Sequence, residues 1–340
     1  MSSGQHSLPE VPVTIAARRR QRLRIETIGS LVTLAVLIAA PFTVRSFVVF
    51  QFTTIIVYGI AIMSLNILTG WSGQFSLGHS VFFAVGAYVM GILVEQANVH
   101  YALALPLAGA ACFVFGFLFG LPALRLSGIY LALATFSLAI AMPQFLKLAI
   151  FEHWTGGVQG LVITKPDAPF GLRINQDIWL YYVALAVALL LYLFSVNLIA
   201  SRSGRALLAI RDHQIAASAM GINLALYKTL AFGLSAAMTG IAGGLGAILF
   251  AFVSPDAYSI TFATNLFIGM VIGGVGWLPG SLAGAAFLVL IPNLAEGISK
   301  GLPGALFGVF VLAVIFFFPD GAKQIAQLCA RGIRRLFGTA

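Results

Sequence analysis

Residues 66–91 read NILTGWSGQFSLGHSVFFAVGAYVMG, and this stretch decides the fold class. Its second half is apolar and rich in small residues, whereas its first half combines glycines with amide, hydroxyl and imidazole side chains. An apolar helix of about 20 residues spans the hydrocarbon core of a bilayer. Glycines interrupt such helices and let their neighbours approach closely. The stretch therefore predicts a membrane-spanning helix that follows a bent, polar segment.

The composition of the whole chain supports this interpretation. Of the 340 residues, 60% are hydrophobic and only 9% are charged, whereas soluble domains carry about 25% charged residues. Apolar segments of spanning length recur without the alternation of a β-barrel, so we predict an all-α, polytopic transmembrane helix bundle. It has about ten predicted spans: 27–44, 47–68, 75–95, 101–122, 128–151, 178–199, 227–252, 261–277, 281–298 and 302–318.

The 19 Lys and Arg residues predict the orientation of the bundle. Cytoplasmic loops of membrane proteins collect basic residues, and ten spans with both termini in the cytoplasm put most of them on that side. We therefore predict a multi-pass protein of the plasma (inner) membrane, with loop 152–177 outside and loop 200–226 inside. The same rule explains the net charge of +9 without a nucleic-acid partner. The predicted domains are a basic cytoplasmic tail over 1–26, a transmembrane domain over 27–319 and a basic cytoplasmic tail over 320–340.

Several kinds of chemistry are missing from the sequence. It has no GxxxxGK[ST] phosphate loop, no metal-ligand spacing among its five histidines and no catalytic arrangement, so we predict no enzymatic activity and no cofactor. The acidic and basic residues near the apolar spans fall at their ends, whereas ion-coupled pumps carry ionisable residues at membrane depth. If the protein transports uphill, its energy must then come from another chain.

A second glycine-rich passage repeats the organisation of the first. Residues 59–91 and 266–290 each run from an apolar helix through a Gly- and Trp-containing loop into a small-residue helix. Because paired, interrupted segments mark the pathway in many transporters, we predict inverted-repeat character and a route lined or gated by these loops. The predicted path residues are Gly70, Gly73, Gln74, Ser76, Gly78, His79, Gly273, Gly274 and Gly276. The alternative is a kinked, closely packed helix whose polar residues, His79 above all, are hydrogen-bonded for packing.

The chain resembles the permease subunits of branched-chain amino acid ABC importers, the LivM-like family. The resemblance runs from about residue 50 to 320 and rests on passages in the same order. These are residues 66–91, GIYLALATFSLA (128–139), WTGGVQGL (154–161), RALLAIRDHQIAASAMGINLALYKTLAF (205–232) and VIGGVGWLPGSLAGA (271–285). It implies two permease chains that form the path, two cytoplasmic ABC ATPase subunits and an external substrate-binding protein that delivers substrate.

The resemblance also implies a role for the cytoplasmic loop. Residues 215–221 look like the coupling element of ABC permeases, in which small residues and a following glycine enter a groove of the ATPase. The expected coupling residues are Arg211, Asp212, Ala216, Ala217 and Gly221. The pattern predicts two short helices, 205–211 and 214–220, with Gly221 in the left-handed conformation. The alternative is an ordinary cytoplasmic connector helix. The strict importer pattern that begins with Glu-Ala-Ala is absent, which favours the importer type with a separate, substrate-specific fold over the smaller type with five or six helices.

The substrate and the class of transporter stay open at this point. The same family serves urea, short amides and aromatic or alicyclic acids as well as amino acids. A stand-alone secondary carrier or channel is a second hypothesis, although it predicts a buried ionisable residue for coupling. A purely structural membrane subunit is a third, and it predicts no polar path through the bundle.

Overall fold

The computed structural model of the chain describes residues 41, 44–124, 126, 128–167, 175–298, 303–324 and 327. Most of the predicted span 27–44, the N-terminal tail and most of the C-terminal tail lie outside the described residues. Residues from Val49 onward belong to one compact unit, and every contact given below lies within it.

Helices make up most of the described chain. In chain order they are α1 (Ser46–Asn66), α2 (His79–Gly91), α3 (Tyr101–Ala123), α4 (Ile129–Leu146), α5 (Glu152–Thr155), α6 (Gln176–Ala200), α7 (Arg202–Asp212), α8 (Gln214–Ala219), α9 (Leu224–Phe250), α10 (Ile260–Gly273), α11 (Gly280–Ile298) and α12 (Pro303–Phe317). Helices α1 and α2 each continue into a wider π-helical turn, Ile67–Trp71 and Ile92–Gln96. A 3-10 turn, Pro255–Tyr258, precedes α10.

The predicted class of fold is confirmed for the described residues. Six helices there are long and apolar enough to cross a membrane: Ser46–Trp71, His79–Gln96, Tyr101–Pro122, Ile129–Leu146, Gln176–Ala200 and Leu224–Phe250. Three shorter apolar helices follow at Ile260–Gly273, Gly280–Glu296 and Gly304–Val314. Each of these nine coincides with a predicted span. The chain is therefore a polytopic, all-α membrane protein.

Helix α9 forms the centre of the core, where it packs along α2 and α3. Small residues bring the backbones together: a Cβ atom at Gly86 would collide with Gly240 of α9, and one at Gly243 would collide with Phe83 of α2. Lipid tails are as apolar as the side chains, so helices in a bilayer associate through close packing of this kind. This packing fixes the start of α2, which follows the first glycine-rich loop, and the start of α9, which follows the predicted cytoplasmic loop 200–226.

A short two-stranded pair was not expected from the sequence. Strand β1 (Leu161–Val162) runs antiparallel to β2 (Phe252–Val253), with Leu161 opposite Val253. The approach is possible because Gly160, just before β1, has φ +77° and lacks the Cβ that would strike the Val253 carbonyl. The pair ties the segment that follows α5 to the end of α9.

The connections gather at two ends of the bundle. We call one the Asp256 end: there Lys147 Nζ lies 2.6 Å from Asp256 Oδ1 and the Thr164 N–H donates to Glu95 Oε1 at 2.6 Å. We call the other the Arg211 end, because it holds α7, α8 and the two glycine-rich loops. The charged groups at the Asp256 end lie at the ends of spans, as the sequence predicts.

Candidate coupling and gating site

The two glycine-rich loops meet at the Arg211 end. We name residues 70–78 glycine loop 1 and residues 273–280 glycine loop 2. The amide of Asn66, at the end of α1 and one turn before glycine loop 1, binds glycine loop 2: Nδ2 donates to the carbonyls of Gly274 (3.2 Å) and Trp277 (3.1 Å), and Oδ1 accepts from the Gly276 N–H at 2.7 Å. Asn66 is fully buried. Sequence reasoning missed this residue, although a lone amide at the end of the apolar span 47–68 was a visible signal.

Gly70 is the point of closest approach between the loops. A Cβ atom there would lie 2.7 Å from both Asn66 Oδ1 and the Gly276 nitrogen. Side-chain carbons do not come this close to backbone atoms, so only glycine allows the contact. The structure thus brings the two predicted loops together. That they line or gate a route across the membrane stays a prediction.

Glycine loop 2 is closed by its own backbone. A Cβ at Gly273 would collide with the Gly280 carbonyl, so the end of α10 and the start of α11 are in direct contact. Gly274 has φ +102° and Gly276 has φ +75°, values that favour glycine. The three glycines that the sequence assigned to the path, Gly273, Gly274 and Gly276, therefore form one tight turn.

Glycine loop 1 is held by side chains instead. Gln74 is buried, and its Nε2 donates to Ser72 Oγ at 2.6 Å and to the Lys228 carbonyl at 3.1 Å. Gly78 packs against α4, where an added Cβ would lie 2.8 Å from the Thr135 carbonyl oxygen. The loop is therefore anchored both to α9 and to α4.

A chain of buried hydrogen bonds runs from glycine loop 1 into the bundle. Ser76 Oγ lies 3.0 Å from His79 Nδ1, and His79 Nε2 lies 2.7 Å from Ser235 Oγ. Ser235 donates to the Ser64 carbonyl at 2.7 Å, and Ser64 Oγ lies 2.6 Å from Thr239 Oγ1. Both ring nitrogens of His79 thus have partners within the chain. In the described structure Ser76 and His79 have the packed, hydrogen-bonded arrangement of the alternative interpretation.

The predicted coupling loop forms the two short helices expected of it. Ser201 begins α7, where its Oγ accepts from the N–H groups of Ser203 and Gly204. His213 begins α8, where its Nδ1 accepts from the Ala216 N–H at 3.2 Å. Gly221 follows α8 with φ +83°, so its predicted left-handed conformation is confirmed. Together α7 and α8 form what we call the coupling segment.

The coupling segment exposes residues that the sequence did not single out. Ala216 is exposed, but Ala217 is only 3% exposed and packs against its own chain. The large apolar side chains of Ile215 and Met220 are 78% and 84% exposed. A six-residue helix is too short for its sequence to show which face is buried, so only the structure separates these residues.

Arg211 points from the coupling segment toward glycine loop 1. Its Nη1 donates to the Gly70 carbonyl at 2.6 Å, and its Nε and Nη2 donate to Asp212 Oδ1 at 3.0 and 2.9 Å. The absence of a side chain at Gly73 makes room, because a Cβ there would lie 2.8 Å from Arg211 Cγ. The structure therefore joins two sets of residues that the sequence predicted separately.

The fold and this site define a class: a helical membrane protein with interrupted helices at one end, beside an exposed connecting segment. Residues 47–319 match the family model described as the branched-chain amino acid transport system permease component. The chain therefore belongs to the family of branched-chain amino acid transport system permease components.

Individual relatives agree with this membership. The chain is 32% identical over 311 residues to the high-affinity branched-chain amino acid transport system permease protein LivM of Salmonella typhimurium, across 83% of this chain and 72% of the relative. It is 32% identical over 315 residues to the Escherichia coli K12 protein of the same name, across 84% of this chain and 72% of the relative. It is 24% identical over 312 residues to the probable branched-chain amino acid transport permease protein LivM of Methanocaldococcus jannaschii, across 78% of this chain and 89% of the relative. No solved structure matches the chain.

Proposed function

We propose that this chain is the membrane-spanning permease subunit of an ATP-driven importer and forms the translocation path for branched-chain or related amino acids. Its partners in this proposal are ABC ATPase subunits, a second permease chain and an external substrate-binding protein. Family membership supports the transport role. The observation that carries the ATP-driven part is a coupling segment that is exposed on one side and, through Arg211, hydrogen-bonded to glycine loop 1 on the other.

The charges of the described residues support an orientation with the Arg211 end in the cytoplasm. Basic side chains collect in and around the coupling segment, whereas the Asp256 end carries carboxylates, and cytoplasmic loops are the basic ones. The tails 1–26 and 320–340 then lie in the cytoplasm and loop 152–177 lies outside. Cysteines placed at Val158 and Ser218, both exposed, should react with an impermeant reagent from opposite sides. Reaction of both from one side would refute this orientation.

The exposed side of the coupling segment supports docking of an ATPase subunit. Ile215 and Met220 stand outside the apolar spans, where large apolar side chains this exposed mark a protein interface. Their small neighbours Ala216 and Ala219 permit close approach. Gly221 ends the helix and turns the chain back toward α9. An ATPase with an apolar groove fits this surface.

The glycine loops support the passage of a small zwitterion. Within the described loops the polar groups are backbone groups, the Gln74 amide, hydroxyls and the indole N–H groups of two tryptophans, with no carboxylate or ammonium group to hold a charged substrate tightly. A permease must release its substrate, so weak and distributed contacts suit this task. Irregular backbone at membrane depth must be covered by protein or line a wet cavity. A second permease chain facing these loops would provide such a cavity.

Transport in proteoliposomes tests the proposal. The permease is reconstituted with its ATPase, second permease and binding protein, and leucine uptake is measured with ATP inside the vesicles. We expect uptake that requires ATP hydrolysis and stops when ATP is replaced by a non-hydrolysable analogue. Equal uptake by the permease alone would make the chain a stand-alone carrier or channel. ATP-dependent uptake of urea but not of leucine would keep the class and change the substrate.

A further inference from the structure

An ATP-driven permease needs a physical link between the surface that meets the ATPase and the part that opens. We infer that Arg211 is the positioning residue that transmits displacement of the coupling segment to glycine loop 1 and, through Asn66, to glycine loop 2. This inference rests on the proposed function. It assigns Arg211 to contacts inside the permease, whereas the family resemblance counted it among the residues that couple to the ATPase.

The first step of the link is the guanidinium itself. Asp212 holds it in place through two bonds from Nε and Nη2, and Nη1 remains for the Gly70 carbonyl. Charge-assisted hydrogen bonds of this length are stronger than neutral ones. The planar group has little freedom when three of its N–H groups are engaged. A movement of Arg211 is therefore transferred to the backbone of Gly70.

The second step leads from Gly70 to glycine loop 2. Gly70 touches Gly276 so closely that no side chain fits between them. Asn66, one turn earlier on the same helical segment, binds the backbone of Gly274, Gly276 and Trp277. A shift of the π-helical turn that contains Gly70 must therefore shift both loops together.

A parallel connection keeps the coupling segment and glycine loop 1 in register. Lys228 Nζ donates to Gln214 Oε1 at 3.0 Å, and the carbonyl of the same lysine accepts from Gln74 at 3.1 Å. Apolar packing adds to it, since Leu207 of α7 lies in one buried cluster with Leu68, two residues before Gly70. Both helices of the coupling segment are thus linked to the region of glycine loop 1: α8 through Gln214 and Lys228, and α7 through Leu207.

Arg205 provides the contrast within the same helix. Its Nη1 donates to the Ala200 carbonyl at 3.1 Å, a local bond at the start of α7. Both arginines are exposed in part and carry the same charge, but only Arg211 reaches a glycine loop. Arg205 is therefore the matched control for charge and position on α7.

The test measures coupling in the complete complex. Leucine uptake and ATP hydrolysis are determined side by side for the wild type, Arg211→Ala and Arg205→Ala. Arg211→Ala should hydrolyse ATP near the wild-type rate and import about tenfold less leucine per ATP, the factor expected for loss of one charge-assisted hydrogen bond. Arg205→Ala should import as much leucine per ATP as the wild type.

Each outcome decides the inference. If Arg211→Ala imports as much leucine per ATP as the wild type, the inference is overturned. Failure of Arg211→Ala to bind the ATPase also overturns it, because Arg211 would then belong to the docking surface. If Arg211→Ala does not accumulate in the membrane, Arg211→Lys is compared with Arg205→Lys. Equal leucine import per ATP in these two variants overturns the inference. Absence of ATP-driven uptake in the wild type contradicts the proposed function instead.

A spectroscopic measurement follows the movement directly. Spin labels are placed at Ser218→Cys in α8 or at Phe75→Cys in glycine loop 1, both exposed positions, with Cys329 replaced by Ser and the buried Cys112 retained. ATP should change both spectra in an otherwise wild-type complex. With Arg211→Ala the change at 218 should persist and the change at 75 should become much smaller. A preserved change at 75 would overturn the inference.

Discussion

Glycine loops 1 and 2 look alike in sequence and differ in what holds them. Loop 1 is fixed by the side chains of Gln74 and Ser76: Gln74 binds the Lys228 carbonyl of α9, and Ser76 is hydrogen-bonded to His79, which in turn is hydrogen-bonded to Ser235 of α9. Loop 2 contributes backbone groups, and Asn66 from outside the loop binds them. Loop 1 is also the one that Arg211 contacts. The comparison indicates that loop 1 receives the movement and that loop 2 follows it.

The largest effect should come from overpacking the contact between the loops. Gly70→Ala puts a methyl group 2.7 Å from both Asn66 Oδ1 and the Gly276 nitrogen, so the two loops must separate. Overpacking of this kind costs about 1–3 kcal/mol, and we expect uptake to be abolished. Gly308→Ala on α12 is the control, because a Cβ there meets nothing within 4 Å. Wild-type uptake in Gly70→Ala would show that the loops need not touch.

A smaller effect should follow from releasing loop 2 alone. Asn66→Leu keeps the branched shape of the side chain but leaves the Gly276 N–H without a partner, a loss of about 1–3 kcal/mol, whereas the Gly274 and Trp277 carbonyls still accept from the N–H groups of Trp277 and Gly280. Hydrogen exchange at the loop 2 amides should rise while exchange in loop 1 stays near wild type. Asn293→Leu is the control, since Asn293 binds only the Val289 carbonyl of its own helix. Equal exchange in loop 2 of both variants would mean that Asn66 does not hold it.

The smallest effect should come from His79, the residue that follows loop 1. His79→Gln retains polar atoms but cannot reach both Ser76 and Ser235, so the free energy of unfolding should fall by about 1 kcal/mol. The KM for uptake should not change if His79 serves packing. His153→Gln, at an exposed histidine of the Asp256 end, should change neither quantity. A raised KM with unchanged stability would place His79 in the path.

The sequence predicted the parts of this fold that depend on length and hydropathy. A run of about 20 apolar residues has few structures open to it, so the nine apolar helices of the described residues fall on predicted spans. Gly221 was predictable because its conformation depends on the local chain alone. The β1–β2 pair, the bridge from Asn66 and the inward position of Ala217 were not predictable. They depend on residues far apart in the chain, or on which face of a short helix meets the bundle.

The central claim is that an ATPase docks on the coupling segment at the Arg211 end, and co-purification tests it most directly. The tagged permease is expressed with its ATPase as the wild type, with Ile215→Asp and Met220→Asp together, and with Phe252→Asp. Phe252 is 46% exposed at the Asp256 end and serves as the matched apolar control. We predict that the ATPase remains bound to the wild type and to Phe252→Asp, and is lost from the double variant. Retention of the ATPase by the double variant would contradict the account.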